Sequence, residues 1–509
     1  MTAQTAGDTT RPPILAFTGL LVVALLPLAI AEPIPMVDLP NHLARAHIIA
    51  NIDASPVLSQ FYAIDWQFLP NLGIDLILPP LLKVFPHHEV TVALAAAIIA
   101  LTAGGAVAIH HALFQRWSAF PLLAFFFLYS YSFLWGFLNF LVSFALALWL
   151  FYAWLKLRHV HPLIKVPLFA VLTTALAPMH LYGFAVYAVM VGTYEFSRVA
   201  LGPVSALLRG IPTLAINALP FVPALVFILE SRTADTPDVI WGTVRSKFGG
   251  LFKMFETYNL PVDLLAMAVF AAVFGYGLLT GRLVVHRMMI LATVVLVALY
   301  FALPLNILGS GFVDLRMLPV IAIVGIAVSD WRVTSTRARR VLMAGFTGLF
   351  LVRMAVVALA WIEAGTFFDE VRSAFKVLEP GDRLAVAAIY REGEYPPFPP
   401  AHHIAGMAVV EQGAFANMLF SLEGAQPLRV IYDTDPAYRG CCAHEMQIDH
   451  GGPVPNPFER IPLADFDYLV VFGSDHLTAT PPQNLSVTTE GDDYVLYRID
   501  QPSSAGAPQ

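Results

Sequence analysis

Charge is scarce in this chain: Asp, Glu, Lys and Arg make up 13% of 509 residues, while 58% are hydrophobic. A soluble domain carries roughly 25% charged residues, so this shortage excludes a wholly soluble protein and points to a polytopic membrane one. Cysteine is almost missing as well. Cys441 and Cys442 are the only two, and as neighbours they cannot adopt ordinary disulfide geometry without strain. They read as two thiols, with a strained vicinal bridge as the alternative. No long basic or acidic run suggests a nucleic-acid partner. Cys/His metal spacings, phosphate-binding Gly loops and Ser-His-Asp signatures are all absent. There is also no internal repeat, which tells against a transporter built from two related halves.

What the chain has in abundance is apolar runs near the ~20 residues that a bilayer requires. About eleven spans are expected, at 13–31, 89–111, 118–134, 136–155, 164–179, 181–197, 211–229, 262–280, 287–305, 317–330 and 341–363. Ala29-Ile30-Ala31 mimics a cleavage site, but the apolar run from Ile14 to Ala31 exceeds the usual ~7–15-residue signal core and only Arg11 precedes it. An uncleaved helix is the expectation. The segment Ile74–Phe85 carries two prolines and is too short to span, so it reads as interfacial or re-entrant.

Lys and Arg orient the chain. With a cytoplasmic N-terminus, Arg116, Lys156, Arg158, Lys165, Arg198, Arg209, Arg282, Arg287, Arg332, Arg337, Arg339 and Arg340 all fall in inner loops. The short outer connections near 135, 180 and 306 are almost bare, as the positive-inside rule requires. The expected organisation is a transmembrane domain over 1–363, with outer loops at 32–88 and 230–261. An extracytoplasmic α/β domain follows over 364–500, then a disordered tail over 501–509. In the 230–261 loop, Val244, Phe248, Leu251, Phe252 and Phe255 recur at helical spacing, with Arg245, Lys247 and Lys253 on the other side. That pattern predicts a helix in the headgroup plane or one packed on the bundle. In the C-terminal domain RLAVAAIY, LRVIY, DYLVVFG and YVLYRID read as strands, and FFDEVRSAFKVL as an amphipathic helix.

The most polar part of the N-terminal half is Glu32 to Asn71. If LPNHLARAHIIA is a helix entered at Pro40, His42 and Arg45 share a face, with Asp38 just ahead. A carboxylate, an imidazole and a guanidinium at a membrane surface could handle a phosphate-bearing lipid and deprotonate a hydroxyl. The bland alternative is a solvated connector, with Asp38 a cap. Asp65 and Asp75 are alternative acids in the same region. Arg316, at the mouth of a span, could hold a lipid-linked phosphate or pair with Asp314. His180 lies between two spans on the same outer side, and Asn139 and Trp135 could line a sugar site. Arg353 falls inside the last span and must face protein or water, with no partner legible in the sequence. Asp433-Thr434-Asp435 resembles a DxD metal motif on three loop residues alone.

One span, an outer loop with an early aspartate, a polytopic bundle and an outer α/β domain together resemble the GT-C-type membrane glycosyltransferases. The wording VDLPNHLAR, WGFLNFLVSFALALWL, PMHLYGFAVYAVMVGTYE and DLRMLPVIAIV is similar to bacterial members along most of the chain. The resemblance implies an enzyme of the plasma membrane. It would transfer a sugar from a polyprenyl-phosphate donor to a glycan, lipid or protein hydroxyl on the outer face. The family's acidic base falls on Asp38, and its phosphate-contacting residues on Arg45 and Arg316, with His42 and His180 beside them. Many relatives have two adjacent acids here, whereas Leu39 follows Asp38. That departure points to a metal-free mechanism, with a divalent metal as the alternative. A transporter and a non-enzymatic scaffold for envelope assembly are the rival readings.

Overall fold

The computed structural model describes residues 13–201, 204–231, 239–307, 309–333, 335–391, 396–440, 445–448 and 454–500. Cys441, Cys442 and the tail over 501–509 lie outside the described residues. Two compact units are present. One comprises Met1–Ile30, Gln67–Gly73 and Thr91–Trp361; the other comprises Ala31–Trp66, Ile74–Val90 and Ile362–Gln509.

The first unit is mostly helical. Among the described residues five helices are long and apolar enough to cross a membrane: His87–Phe114, Leu138–Lys156, Gly210–Glu230, Leu260–Leu279 and Thr336–Val377. Shorter apolar helical stretches include Ile14–Ala29, Pro162–Leu176, Arg287–Ala302 and Met317–Ala327. Large apolar side chains such as Leu163, Leu229 and Leu279 point outward, as on a surface bathed in hydrocarbon. Leu138–Lys156 and Leu181–Ala200 approach so closely that a Cβ on Gly183 would lie 2.4 Å from the Ser143 hydroxyl. Only glycine fits there.

The expected span at 118–134 takes a different form. Phe120–Phe127 is a 3-10 helix and Tyr131–Trp135 a short α-helix. Every residue from 120 to 145 is buried. Pro121 and Gly136, the latter at φ 81°, interrupt the run, and protein rather than lipid surrounds its aromatic rings.

Arg353 has a partner that the sequence does not disclose. Fully buried, it donates to the Phe255 carbonyl, to the Tyr129 carbonyl at 3.1 Å and to Asp263 Oδ1 at 3.3 Å. Asp263 also accepts from the Thr257 N–H at 2.7 Å and hydroxyl at 2.6 Å. Lys247 likewise departs from expectation. Instead of reaching lipid headgroups, one of the two expected settings, it is buried, with Nζ 2.6 Å from the Leu303 carbonyl and 2.5 Å from Asp314 Oδ2. Three oxygen acceptors, the Tyr300 carbonyl included, outweigh the pull of solvent on one ammonium. Val244 and Phe248 of the same short helix, Val244–Gly250, are exposed.

The second unit is built on a six-stranded mixed sheet. Strand Arg383–Arg391 runs parallel to Phe415–Ala416, Glu445–Ile448 and Tyr468–Phe472. Tyr494–Ile499 lies antiparallel between Tyr468–Phe472 and Leu485–Glu490. Residues Leu384 to Ile389 are all buried, the continuous apolar run of a strand covered on both faces. The early outer loop belongs to this unit. Its strand Tyr62–Ile64 pairs antiparallel with Leu428–Val430, and its helices Leu39–Asn51 and Gly73–Leu82 complete it. The expected amphipathic helix over FFDEVRSAFKVL is the last part of one continuous helix, Thr336–Ala374, plus a 3-10 turn at Phe375–Val377.

Candidate active site

Leu39–Asn51 begins with Pro40 in its first turn, where a missing N–H costs nothing. Asp38 stands at the cap position, yet its side chain makes no capping bond. Its Oδ1 lies instead 3.4 Å from His403 Nε2, and both residues are buried. One turn on, Asn41 accepts the Phe420 N–H on Oδ1 at 2.9 Å. Its amide nitrogen donates to the Met418 carbonyl at 2.9 Å and faces His403 Nδ1 at 3.4 Å. The Phe420 ring packs on both imidazoles, with centroids 4.9 Å from His403 and 5.5 Å from His42. His402 packs edge-on against His403 at 4.2 Å.

His42 and Arg45 do share a helix face. Arg45 Nη2 lies 3.3 Å from His42 Nδ1, and Arg45 grips Asp75 through Nε at 2.7 Å and Nη2 at 3.2 Å. Arg45 is 1% and Asp75 2% exposed, so this guanidinium is charge-compensated inside the unit. It faces His42 Nδ1. Asp75 sits on the buried side of Gly73–Leu82, while Leu76, Leu81, Val84 and Phe85 are exposed nearby, as an interfacial segment requires. Asp65 has another employment: Arg429 donates to its Oδ2 at 2.9 and 2.7 Å, pinning the edge of the Tyr62–Ile64 strand pair.

Close packing holds the aspartate-bearing turn. Helix Gly406–Gln412 meets it at Gly406, where an added Cβ would come within 2.7 Å of the Pro40 carbonyl oxygen. Gly406→Ala should therefore destabilise this unit by about 1–3 kcal/mol through backbone displacement. A thermal unfolding shift in detergent measures it; a variant as stable as the parent would remove this contact from the account.

In the helical unit, Arg316 and His180 come together. Arg316 precedes Met317–Ala327 and His180 caps Leu181–Ala200. Arg316 Nη1 is 3.2 Å from His180 Nε2, Nη2 donates to the Gly311 carbonyl at 3.1 Å, and the guanidinium lies 4.3 Å from the Phe137 ring centroid. The Tyr182 N–H donates to His180 Nδ1 at 3.1 Å. Burial, with Arg316 beside it, holds the His180 imidazole well below the usual range, so it is neutral. A neutral ring accepting at Nδ1 carries its proton on Nε2. Two donors, His180 Nε2–H and the Arg316 guanidinium, thus face each other. Asp314, the alternative partner for Arg316, is paired with Lys247. Phe312, whose φ of 53° is strained for an aromatic residue, lies four residues before Arg316. Asn139 binds Asn71, and Trp135 stacks among Tyr131, Phe137 and Phe312.

Among the described residues no group of three or more His, Cys, Asp or Glu side chains is arranged to hold a metal ion. Asp433 of the DxD-like triplet is exposed and contacts Arg439.

Three of these residues carry weak signals in the sequence. Asn41 is only one of several polar residues in its segment, while His403 and Phe420 come from beyond residue 400 and have no periodicity to mark them.

No family model matches the chain, and no curated protein matches it. Among solved structures it is similar to ArnT from Cupriavidus metallidurans bound to undecaprenyl phosphate, at 12% identity and a TM-score of 0.49. It is similar also to the same protein in the apo state, at 11% identity and a TM-score of 0.49. Each alignment covers 97% of this chain and 99% of the other.

Proposed function

We propose that this multi-pass chain is a membrane glycosyltransferase. It moves a hexose or pentose from a polyprenyl-phosphate-linked donor to an acceptor hydroxyl on the outer face of the plasma membrane. The observation that carries the reading is Asp38: a buried carboxylate at a helix start that caps nothing and is held by an imidazole. That is the setting of a general base rather than of a structural cap. Asp38 takes the acceptor's proton as the hydroxyl oxygen attacks the anomeric carbon. The bond from that carbon to the phosphate oxygen breaks, and the lipid phosphate departs with one more negative charge.

That added charge needs stabilisation, which is commonly the largest protein contribution in such chemistry. In the helical unit, Arg316 and His180 are the candidate phosphate-binding pair. Two facing donors suit an anionic oxygen, and the Phe137 ring holds the guanidinium in a partly apolar setting where its hydrogen bonds are stronger. His42 and Arg45 are the candidate phosphate-handling pair of the second unit, with Arg45 held by Asp75.

The test is release of polyprenyl phosphate from a panel of polyprenyl-monophosphate-linked hexoses and pentoses, with an envelope extract as the acceptor source. Arg316→Gln should lower kcat/KM by about 10²-fold, the scale of one lost charged hydrogen bond to the leaving group. Donor turnover unaffected in that variant would reject the role of Arg316. Absence of release with every donor would reject the enzyme reading.

A further inference from the structure

The C-terminal residues supply part of the apparatus around the base. We propose that His403 is a positioning residue for Asp38, with its tautomer set by the Asn41 amide; this rests on the reading of Asp38 as the base. The Phe420 N–H, 2.9 Å from Asn41 Oδ1, fixes which end of that amide is oxygen. The nitrogen end therefore turns toward the Met418 carbonyl and His403 Nδ1. Facing an N–H donor, Nδ1 is the acceptor, and the ring proton sits on Nε2, 3.4 Å from Asp38 Oδ1.

An imidazole so fixed does not relay the proton. Its Nε2–H donates to Oδ1 while Asp38 is a carboxylate, and still donates to the carbonyl oxygen once the carboxyl has taken the acceptor's proton. What it controls is the rotation of the carboxyl group. A base must be aimed within narrow limits, and a side chain with two soft torsions at a helix start is not aimed by its backbone alone. The surroundings are built to hold the ring still: Phe420 and His402 pack on it, and it is 1% exposed. The arrangement inverts the familiar order in which a carboxylate orients a catalytic imidazole.

Two variants of the full-length protein separate the N–H from the ring. His403→Phe keeps a ring against Phe420 and removes the donor; His403→Gln keeps an N–H at similar reach. Assayed by polyprenyl phosphate release, His403→Phe should lower kcat at least about tenfold with donor KM within about twofold, and His403→Gln should recover to within about threefold of the parent. Should His403→Phe turn over at the parental rate, or His403→Gln be as slow as His403→Phe, the proposal is overturned. Histidine nitrogen NMR on the parent protein gives a readout independent of activity and of variant folding. A proton on Nε2 is expected, and one on Nδ1 would overturn the assignment. If the parent releases phosphate, Asp38→Asn does not and His403→Phe does, His403 alone is misassigned. If Asp38→Asn releases phosphate like the parent, the underlying reading fails instead.

Discussion

Asp38→Asn should slow sugar transfer by about 10²–10⁴-fold, the range expected for loss of a positioned general base. The substitution changes little else. Asparagine keeps the volume and an oxygen to accept from His403, and it makes no demand on the helix start, where the aspartate gives no capping bond. Donor KM should therefore stay within about twofold. Asp65→Asn is the matched control: its carboxylate is occupied by Arg429 at the edge of a strand pair, so the rate should change less than about threefold. Equal rates for Asp38→Asn and the parent, in protein shown to be folded, would end the assignment of Asp38.

The second large effect is on stability. Arg353→Met should destabilise the helical unit by about 3–5 kcal/mol, because Asp263 would be left without its counterion in a fully buried site. The carbonyls of Phe255 and Tyr129 would lose a donor at the same time. Adding Asp263→Asn removes the stranded charge and leaves an amide that still meets Thr257. The double variant should regain much of the loss. Thermal unfolding in detergent, followed by intrinsic fluorescence, compares the three proteins. If the double variant were no more stable than Arg353→Met alone, the charge would not be the cause.

Local patterns were legible in the sequence, and distant partners were not. Helical spacing brought out His42 and Arg45 as neighbours, and the apolar runs RLAVAAIY and DYLVVFG marked interior strands of the sheet. Leu485–Glu490 escaped notice because an edge strand with polar Ser, Thr and Glu has no reason to look apolar. Lys247 was misread for a related reason. Periodicity assigns a lysine to the polar side of a helix, but a carboxylate 67 residues further on draws it inward. The same blindness hides Asp263 from Arg353, and Asp75 from Arg45. His403 is the extreme case: two histidines in FPPAHHIAG carry no spacing that points to an aspartate near the other end of the chain.

That separation has a consequence for how the molecule is made. Asn41 and His403 are 362 positions apart, and ribosomes add about 5–20 residues per second. For roughly 20–70 s after it emerges, the loop bearing the aspartate has neither its imidazole nor the strand partner of Tyr62–Ile64, which arrives at Leu428. Its apolar side chains, Phe61 and Leu43 among them, must wait for a core that is still being translated. A stop codon placed late in the message would be expected to cost the activity although every membrane-spanning helix had already been made.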